Sequence, residues 1–235
     1  MRLLFTLQYL GTRYAGWQSQ TNATAIQPIV EAALSKLFGA PVRIEGAGRT
    51  DSGVHARGQR AHADVPFTIE SRGLVLGTNN LLPADIRLTA AEEVAAGFHA
   101  RFEAKEKTYC YRIWNAAVAD VFTAETHAHV TSPLDVSPMN AAIQTLLGTH
   151  DFQAFTVAEP EVSAPVRTLR ESRVARDGDA IVMTVTGDGF LRYMVRRIAG
   201  SLIEIGRGRL AAEELFDEAR WTAPAKGLTL EEIRY

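Results

Sequence analysis

Leu3, Phe5, Leu7 and Tyr9 recur at every second position; after a loop, Ile26, Ile29, Val30, Ala33, Leu34 and Leu37 recur at the i, i+3, i+4 spacing. The first rhythm sets four side chains on one face of a strand ending at Gly11. The second sets six on one stripe of a helix that Gly39 ends, with Pro28 tolerated because it lies near the helix start. A half-apolar strand followed by an amphipathic helix can bury both faces only by packing one element on the other. Val42 and Ile44 then lead a second strand, and Gln59, Ala61, Ala63 and Val65 mark a strand returning from it. Residues 71–82 read as a helix, and the Pro83-Ala84-Asp85 turn feeds a strand at Ile86-Arg87-Leu88. The order over the first hundred residues is β-α-β-β-α-β.

The same order recurs. Tyr109, Tyr111 and Ile113 alternate as a strand. Ser137-Pro138 reads as a helix cap followed by proline at the first helical position, with Met139, Ala142, Ile143, Leu146 and Leu147 as the apolar stripe and Gly148 as the stop. Two strands, 166–175 and 180–186, flank the hairpin signal Arg176-Asp177-Gly178-Asp179. A long helix follows over 190–205, and Leu228, Leu230 and Ile233 form a last strand. The expected architecture is α+β, with two tandem ferredoxin-like or RRM-like β-α-β halves, residues 1–104 and 105–235, sharing a mostly antiparallel sheet.

With 25 Lys+Arg against 27 Asp+Glu, the net charge of −2 gives the molecule no overall basic field. A nucleic-acid site would therefore have to be a local cluster. The lone cysteine, Cys110, excludes an internal disulfide and a multi-cysteine zinc site, and it fits a reducing compartment. No run approaches the ~20 apolar residues of a membrane span. A cytoplasmic protein without membrane attachment is expected.

The chemistry centres on Gly46-Ala47-Gly48-Arg49-Thr50-Asp51-Ser52-Gly53-Val54-His55-Ala56. Its glycines permit tight backbone geometry between paired strands, with Asp51 at the centre. An Asp before Ser-Gly is also a common turn-former bonding its own backbone, and the loop alone leaves that reading open. On the helix over 190–205, a rotation of about 100° per residue gathers Leu191, Met194, Val195, Ile198, Leu202 and Ile205 into an apolar stripe. Arg196 falls on its flank, whereas Arg197 falls near Tyr193, Gly200 and Glu204 on an outer side. A half-buried Arg196 needs an acceptor, and a carboxylate presented by a glycine loop matches its planar fork. Arg57, Arg60, His99, Arg101, Lys105 and Lys107 are interleaved with Phe98, Phe102 and Tyr109, a mixture that can hold an RNA backbone and stack on bases. His62, His127, His129 and His150 show no metal-ligand spacing, and Cys110 has no apparent base.

These residues resemble a known family. The glycine loop is similar to the signature of the TruA family of tRNA pseudouridine synthases. In order along the chain so are the segments 9–18, Asn80-Leu81-Leu82-Pro83-Ala84-Asp85-Ile86, Phe98-His99-Ala100-Arg101-Phe102, Lys107-Thr108-Tyr109-Cys110-Tyr111, His150-Asp151-Phe152, Val166-Arg167-Thr168, Gly189-Phe190-Leu191 with Met194-Val195-Arg196, and 223–228. The resemblance implies the pseudouridine synthase fold and isomerisation of uridine to pseudouridine at positions 38 to 40 of the tRNA anticodon arm. It further implies a homodimer that needs no metal or other cofactor. Carried over by position, it makes Asp51 the catalytic aspartate, Arg196 its paired arginine and Tyr109 the tyrosine over the target base. Arg49 becomes the base-flipping arginine and Leu228 an apolar pocket wall. Beside these, Arg57, Gln59, Phe98, His99 and Arg101 are expected as further RNA contacts. An ionised Asp51 can attack covalently or abstract a proton from the sugar, and both paths stay open. The chain departs from the family pattern in an acidic, alanine-containing stretch between Asn115 and Pro133, in shortened segments at 157–164 and 220–222, and in Ser52, where Ala is more usual.

Two competing readings make different demands. A catalytically silent RNA-binding protein of the same fold has no need of a paired carboxylate, and a metal-dependent hydrolase would use Asp51 with His55.

Overall fold

The computed structural model describes residues 1–18, 23–156, 165–216 and 219–235. The elements run β1 (Arg2–Tyr9), α1 (Ile26–Phe38), β2 (Glu45–Gly46), β3 (His55–Asp64), α2 (Ser71–Asn79), β4 (Ile86–Val94), β5 (Glu106–Trp114), β6 (Ala128–His129), α3 (Val136–Gln144), β7 (Gly148–Asp151), β8 (Val166–Asp177), β9 (Ala180–Gly187), α4 (Met194–Gly206) and β10 (Leu228–Arg234). They form an α+β fold divided into two compact units. The first is Met1–Lys105 together with Leu230–Tyr235, and the second is Glu106–Thr229.

In the first unit the strands lie in the order β4-β1-β3-β10. β1 is antiparallel to both β3 and β4, and the two-residue β2 pairs with β3. Phe5, Leu7 and Tyr9 of β1 are buried, as are Ile26, Val30, Leu34 and Phe38 of α1. Burial of such side chains is worth about 1.5–3 kcal/mol each, which is why the two periodicities persist in the fold. Gly39 ends α1 in the left-handed conformation, φ 62°, as the sequence predicts. The Val42 and Ile44 stretch is buried but makes no ladder; β2 begins only at Glu45.

In the second unit β5, β9, β8 and β7 form an antiparallel run, and β6 adds a short parallel pairing to β5. The β8–β9 hairpin turns at Gly178, φ 56°. Three expectations change here. The cap of α3 is Asp135, whose carboxylate accepts from the Ser137 N–H at 2.9 Å. An ionised acceptor at a helix N-terminus gains from the helix dipole, so Asp outcompetes Ser137. α4 starts at Met194 because Tyr193 takes φ 64°, the only left-handed non-glycine among the described residues. Phe190 and Leu191 fit the helical stripe by spacing but lie in the turn before it. Nor does α4 keep an outer side at Gly200 and Glu204: both are buried, and a Cβ on Gly200 would sit 2.7 Å from the Trp221 carbonyl carbon. Among the described residues no helix is long and apolar enough to cross a membrane.

Candidate functional site

The Asp51 loop is held from two directions. From the segment after β1, the Trp17 N–H donates to Thr50 O at 3.1 Å, and Tyr14 O accepts from the Gly53 N–H at 3.2 Å and from the Ser52 hydroxyl at 3.2 Å. The approach is so close that a Cβ on Gly16, φ +94°, would lie 2.5 Å from Thr50 O. From the strands below, the Tyr9 hydroxyl meets Thr50 Oγ1 at 2.8 Å, and the Gln59 amide donates to Gly48 O at 2.9 Å and to the Tyr9 hydroxyl at 3.4 Å. Burial pushes the Tyr9 pKa up to about 12, with the Thr50 and Gln59 bonds acting in the opposite sense, so the hydroxyl remains neutral. Tyr14 is likewise raised to about 12, by burial and by its 2.6 Å bond to Asp85.

This framework holds the main chain of the loop that presents Asp51. Here the Gly53 N–H goes to Tyr14 O, and the Val54 N–H to the main-chain oxygen of Asp51 at 3.1 Å. The loop keeps its shape through main chain and buried neighbours, and Asp51 is half-exposed. His55, in contrast, is buried, and its Nδ1 accepts from the Gly11 N–H at 2.9 Å, so it braces the loop and is poorly placed to activate a metal-bound water.

A cleft of about 290 Å³ on the first unit brings Arg49, His99 and Arg101 together, with Trp17, Gln18 and Phe102 also in its wall. The other candidates of this unit lie apart from it. Arg57 is exposed and pairs with Glu231 at 3.7 Å. Phe98 packs on Tyr235 with ring centroids 4.9 Å apart. Gln59, expected to touch RNA, is 0% exposed and spends its amide on the loop, so its place is beneath the site. The sequence reading passed over Tyr9, Tyr14 and Trp17 as site residues. Their available signal was two aromatics and a Gly-Trp pair flanking the turn after β1.

Glu45, His62 and His99 also converge, with one potential ligand atom from each lying within 4.8 Å of the others. Their hydrogen bonds argue against a metal centre. The Ala100 N–H donates to His62 Nδ1 at 3.3 Å, and the Arg101 N–H donates to His99 Nδ1 at 3.2 Å. An imidazole that accepts at Nδ1 carries its proton on Nε2, whereas a metal-binding histidine donates from the nitrogen that does not bind. His99 Nε2 therefore donates to Glu45 Oε2, 3.1 Å away.

Tyr109, Arg196 and Leu228 belong to the second unit. Tyr109 on β5 is buried, its ring edge-on to Phe190 with centroids 5.0 Å apart. Arg196, in the first turn of α4, is half-buried and bracketed by the chain after the helix. Its Nε donates to Ala223 O at 2.9 Å, while its own carbonyl accepts from the Ala223 N–H at 3.0 Å. Its guanidinium also sits 5.1 Å from the centre of the Tyr193 ring. Downstream, the Tyr111 hydroxyl donates to Pro224 O at 2.8 Å, which fixes the approach to the buried Leu228. Burial raises the Tyr111 pKa, so this donor also stays neutral.

Known proteins are similar to this chain across both units. A family model described as tRNA pseudouridine synthase matches residues 6–103 and 142–235. The tRNA pseudouridine synthase A of Myxococcus xanthus is 44% identical over all of this chain and 92% of its own length. Those of Brevibacillus brevis and Halalkalibacterium halodurans are 43% and 42% identical, over 100% and 97% of this chain and 99% and 90% of theirs. With the family's signatures spread over both units and the relatives aligned from end to end, the chain belongs to the tRNA pseudouridine synthase family, a family of isomerases.

Proposed function

We propose that this protein converts uridine to pseudouridine at positions 38 to 40 of the tRNA anticodon arm, acting as a cytoplasmic homodimer without a cofactor. The observation that carries the reading is the Asp51 loop: it is braced by buried groups on two sides and presents Asp51 half-exposed. A rigid support with a half-exposed acid is what a reacting carboxylate requires.

The reaction breaks the bond from uracil N1 to the sugar, turns the base and joins C5 to the same sugar carbon; the C5 proton leaves and N1 regains one. No redox step or net hydrolysis occurs, so one aspartate and one proton acceptor suffice. In this scheme Asp51 attacks the sugar or takes a proton from it, and Arg196 holds it ionised. Arg49 fills the gap left by the extruded base, whose unstacking costs a few kcal/mol. Tyr109 lies over the flipped ring, Leu228 walls the pocket, and Arg57, Phe98, His99 and Arg101 supply RNA contacts, while Gln59 positions the loop.

The test is site mapping of pseudouridine in tRNA transcripts treated with the wild-type protein and with Asp51→Asn. Modification confined to positions 38 to 40 by the wild type, with loss of at least about a thousandfold in rate but retained tRNA binding in the variant, is expected. Full activity in Asp51→Asn removes the assigned role of Asp51. Binding without any modification by the wild type favours the silent RNA-binding protein.

A further inference from the structure

Phe102 is 75% exposed, on the rim of the cleft that holds Arg49. A single exposed aromatic is ordinary on a protein surface, but this one is propped. The His99 ring packs against it with centroids 4.2 Å apart, and the Arg101 guanidinium lies 5.8 Å from its centre. His99 is itself fixed, because its Nδ1 accepts from the Arg101 N–H and its Nε2 donates to Glu45. The phenyl group is thus held at a set angle with much of its surface open to solvent.

The surroundings are those of a nucleotide. Among the described residues, neither Arg49 nor Arg101 has an ion-pair partner, although both are exposed in a protein of net charge −2. Two guanidinium groups beside one open aromatic face offer a phosphate contact and a stacking platform together, the combination by which single-stranded RNA is gripped. The cleft, at about 290 Å³, lies at the lower end of the ~300–1,000 Å³ range of small-ligand pockets. That is room for one base. Glu45 and Gln18 on its wall are acceptors or donors for a base edge, and the Glu45 carboxylate favours a base presenting an N–H over a second phosphate.

We propose that this cleft is a second nucleotide subsite, in which an unpaired base of the RNA substrate stacks on Phe102 and Arg101 holds the adjoining phosphate, next to the Arg49 that enters the gap left by the target base. The subsite rests on the RNA-modifying reading above and adds to it Phe102 as a stacking contact for a nucleotide beside the target.

The experiment compares full-length wild type with Phe102→Ala, Phe102→Leu and Phe102→Trp. Steady-state pseudouridine formation is measured on a tRNA transcript, together with fluorescence quenching of 2-aminopurine in a single-stranded RNA oligonucleotide. Alanine and leucine are expected to raise KM by about ten- to hundredfold, the range found when stacked aromatics are removed, and to abolish quenching. Tryptophan is expected to restore both. Leucine keeps apolar bulk beside His99 but cannot stack, so leucine behaving like wild type overturns the proposal, as does tryptophan behaving like alanine. Unchanged KM and quenching in Phe102→Ala, with Asp51→Asn still inactive, remove the subsite and leave the reaction standing. A wild-type protein that forms no pseudouridine in any tRNA removes the reading on which the subsite rests.

Discussion

The amide of Gln59, on β3, donates to the carbonyl of Gly48, 2.9 Å away, and this bond ties a fully buried strand residue to the loop that presents Asp51. Replacing Gln59 by Leu keeps the bulk and removes the donor, leaving Gly48 O without this partner. The expected loss is about 1–3 kcal/mol of stability, read by denaturant unfolding. The rate of pseudouridine formation should fall further than the stability loss explains, because the loop loses its register. A variant of normal stability and normal rate would mean that the loop is fixed by Tyr9 and Trp17 alone.

Gly16 is the tightest point of the same loop's support. With φ +94°, a side chain there is strained by about 1–2 kcal/mol, and its Cβ would collide with Thr50 O. Overpacking adds roughly 1–3 kcal/mol. Gly16→Ala should therefore unfold several degrees earlier in a thermal melt and lose activity at temperatures where it remains folded.

Arg196 provides a contrast between charge and shape. Lysine keeps the charge but cannot reproduce both the Nε bond to Ala223 O and the planar stack on Tyr193. Arg196→Lys is expected to lose most of its activity, and Arg196→Ala to lose in addition about 1.5–3 kcal/mol of stability, the worth of a hydrogen bond from a charged group. Near-normal turnover by the lysine variant would show that a positive charge is sufficient.

His62 makes stability depend on pH. Burial pushes its pKa below the ordinary histidine value; neighbouring His99 and Arg2 act in the same direction, and Glu45 and Asp64 oppose them. Burial lowers His127 as well, with the same sign. The unfolded chain then binds protons that the folded protein refuses, so stability should decline as pH falls below about 6.5. His62→Gln, whose side-chain oxygen can accept from the Ala100 N–H, should flatten part of that slope between pH 7 and 5. An identical slope in the variant assigns the dependence elsewhere.

Much of this was written in local patterns. The alternation of β1, the stop at Gly39 and the turn at Gly178 follow from periodicity and glycine chemistry, and all three stand in the structure. The flank position of Arg196 also followed from helical phase and agrees with its half-burial. What escaped depends on partners distant in sequence. Tyr193 looks helical until its left-handed backbone is seen, and Gly200 looks exposed until Trp221 covers it. Gln59 has the composition of a surface contact, and only the arrival of Gly48 and Tyr9 shows it to be an internal brace. The shortened stretch at 157–164 lies outside the described residues, so its effect on substrate choice stays with the sequence reading.

The division of the chain has a consequence for biosynthesis. Leu230–Tyr235 belongs to the unit formed by Met1–Lys105, and its strand β10 lies beside β3. A ribosome must therefore make all of Glu106–Thr229 before the first unit can be completed. Until then the part of β3 that β2 does not cover presents an unpaired edge, a template for wrong pairing. The sheet that carries the brace of the Asp51 loop is completed only when β10 arrives, so the loop's final rigidity is acquired after Glu106–Thr229 has been made.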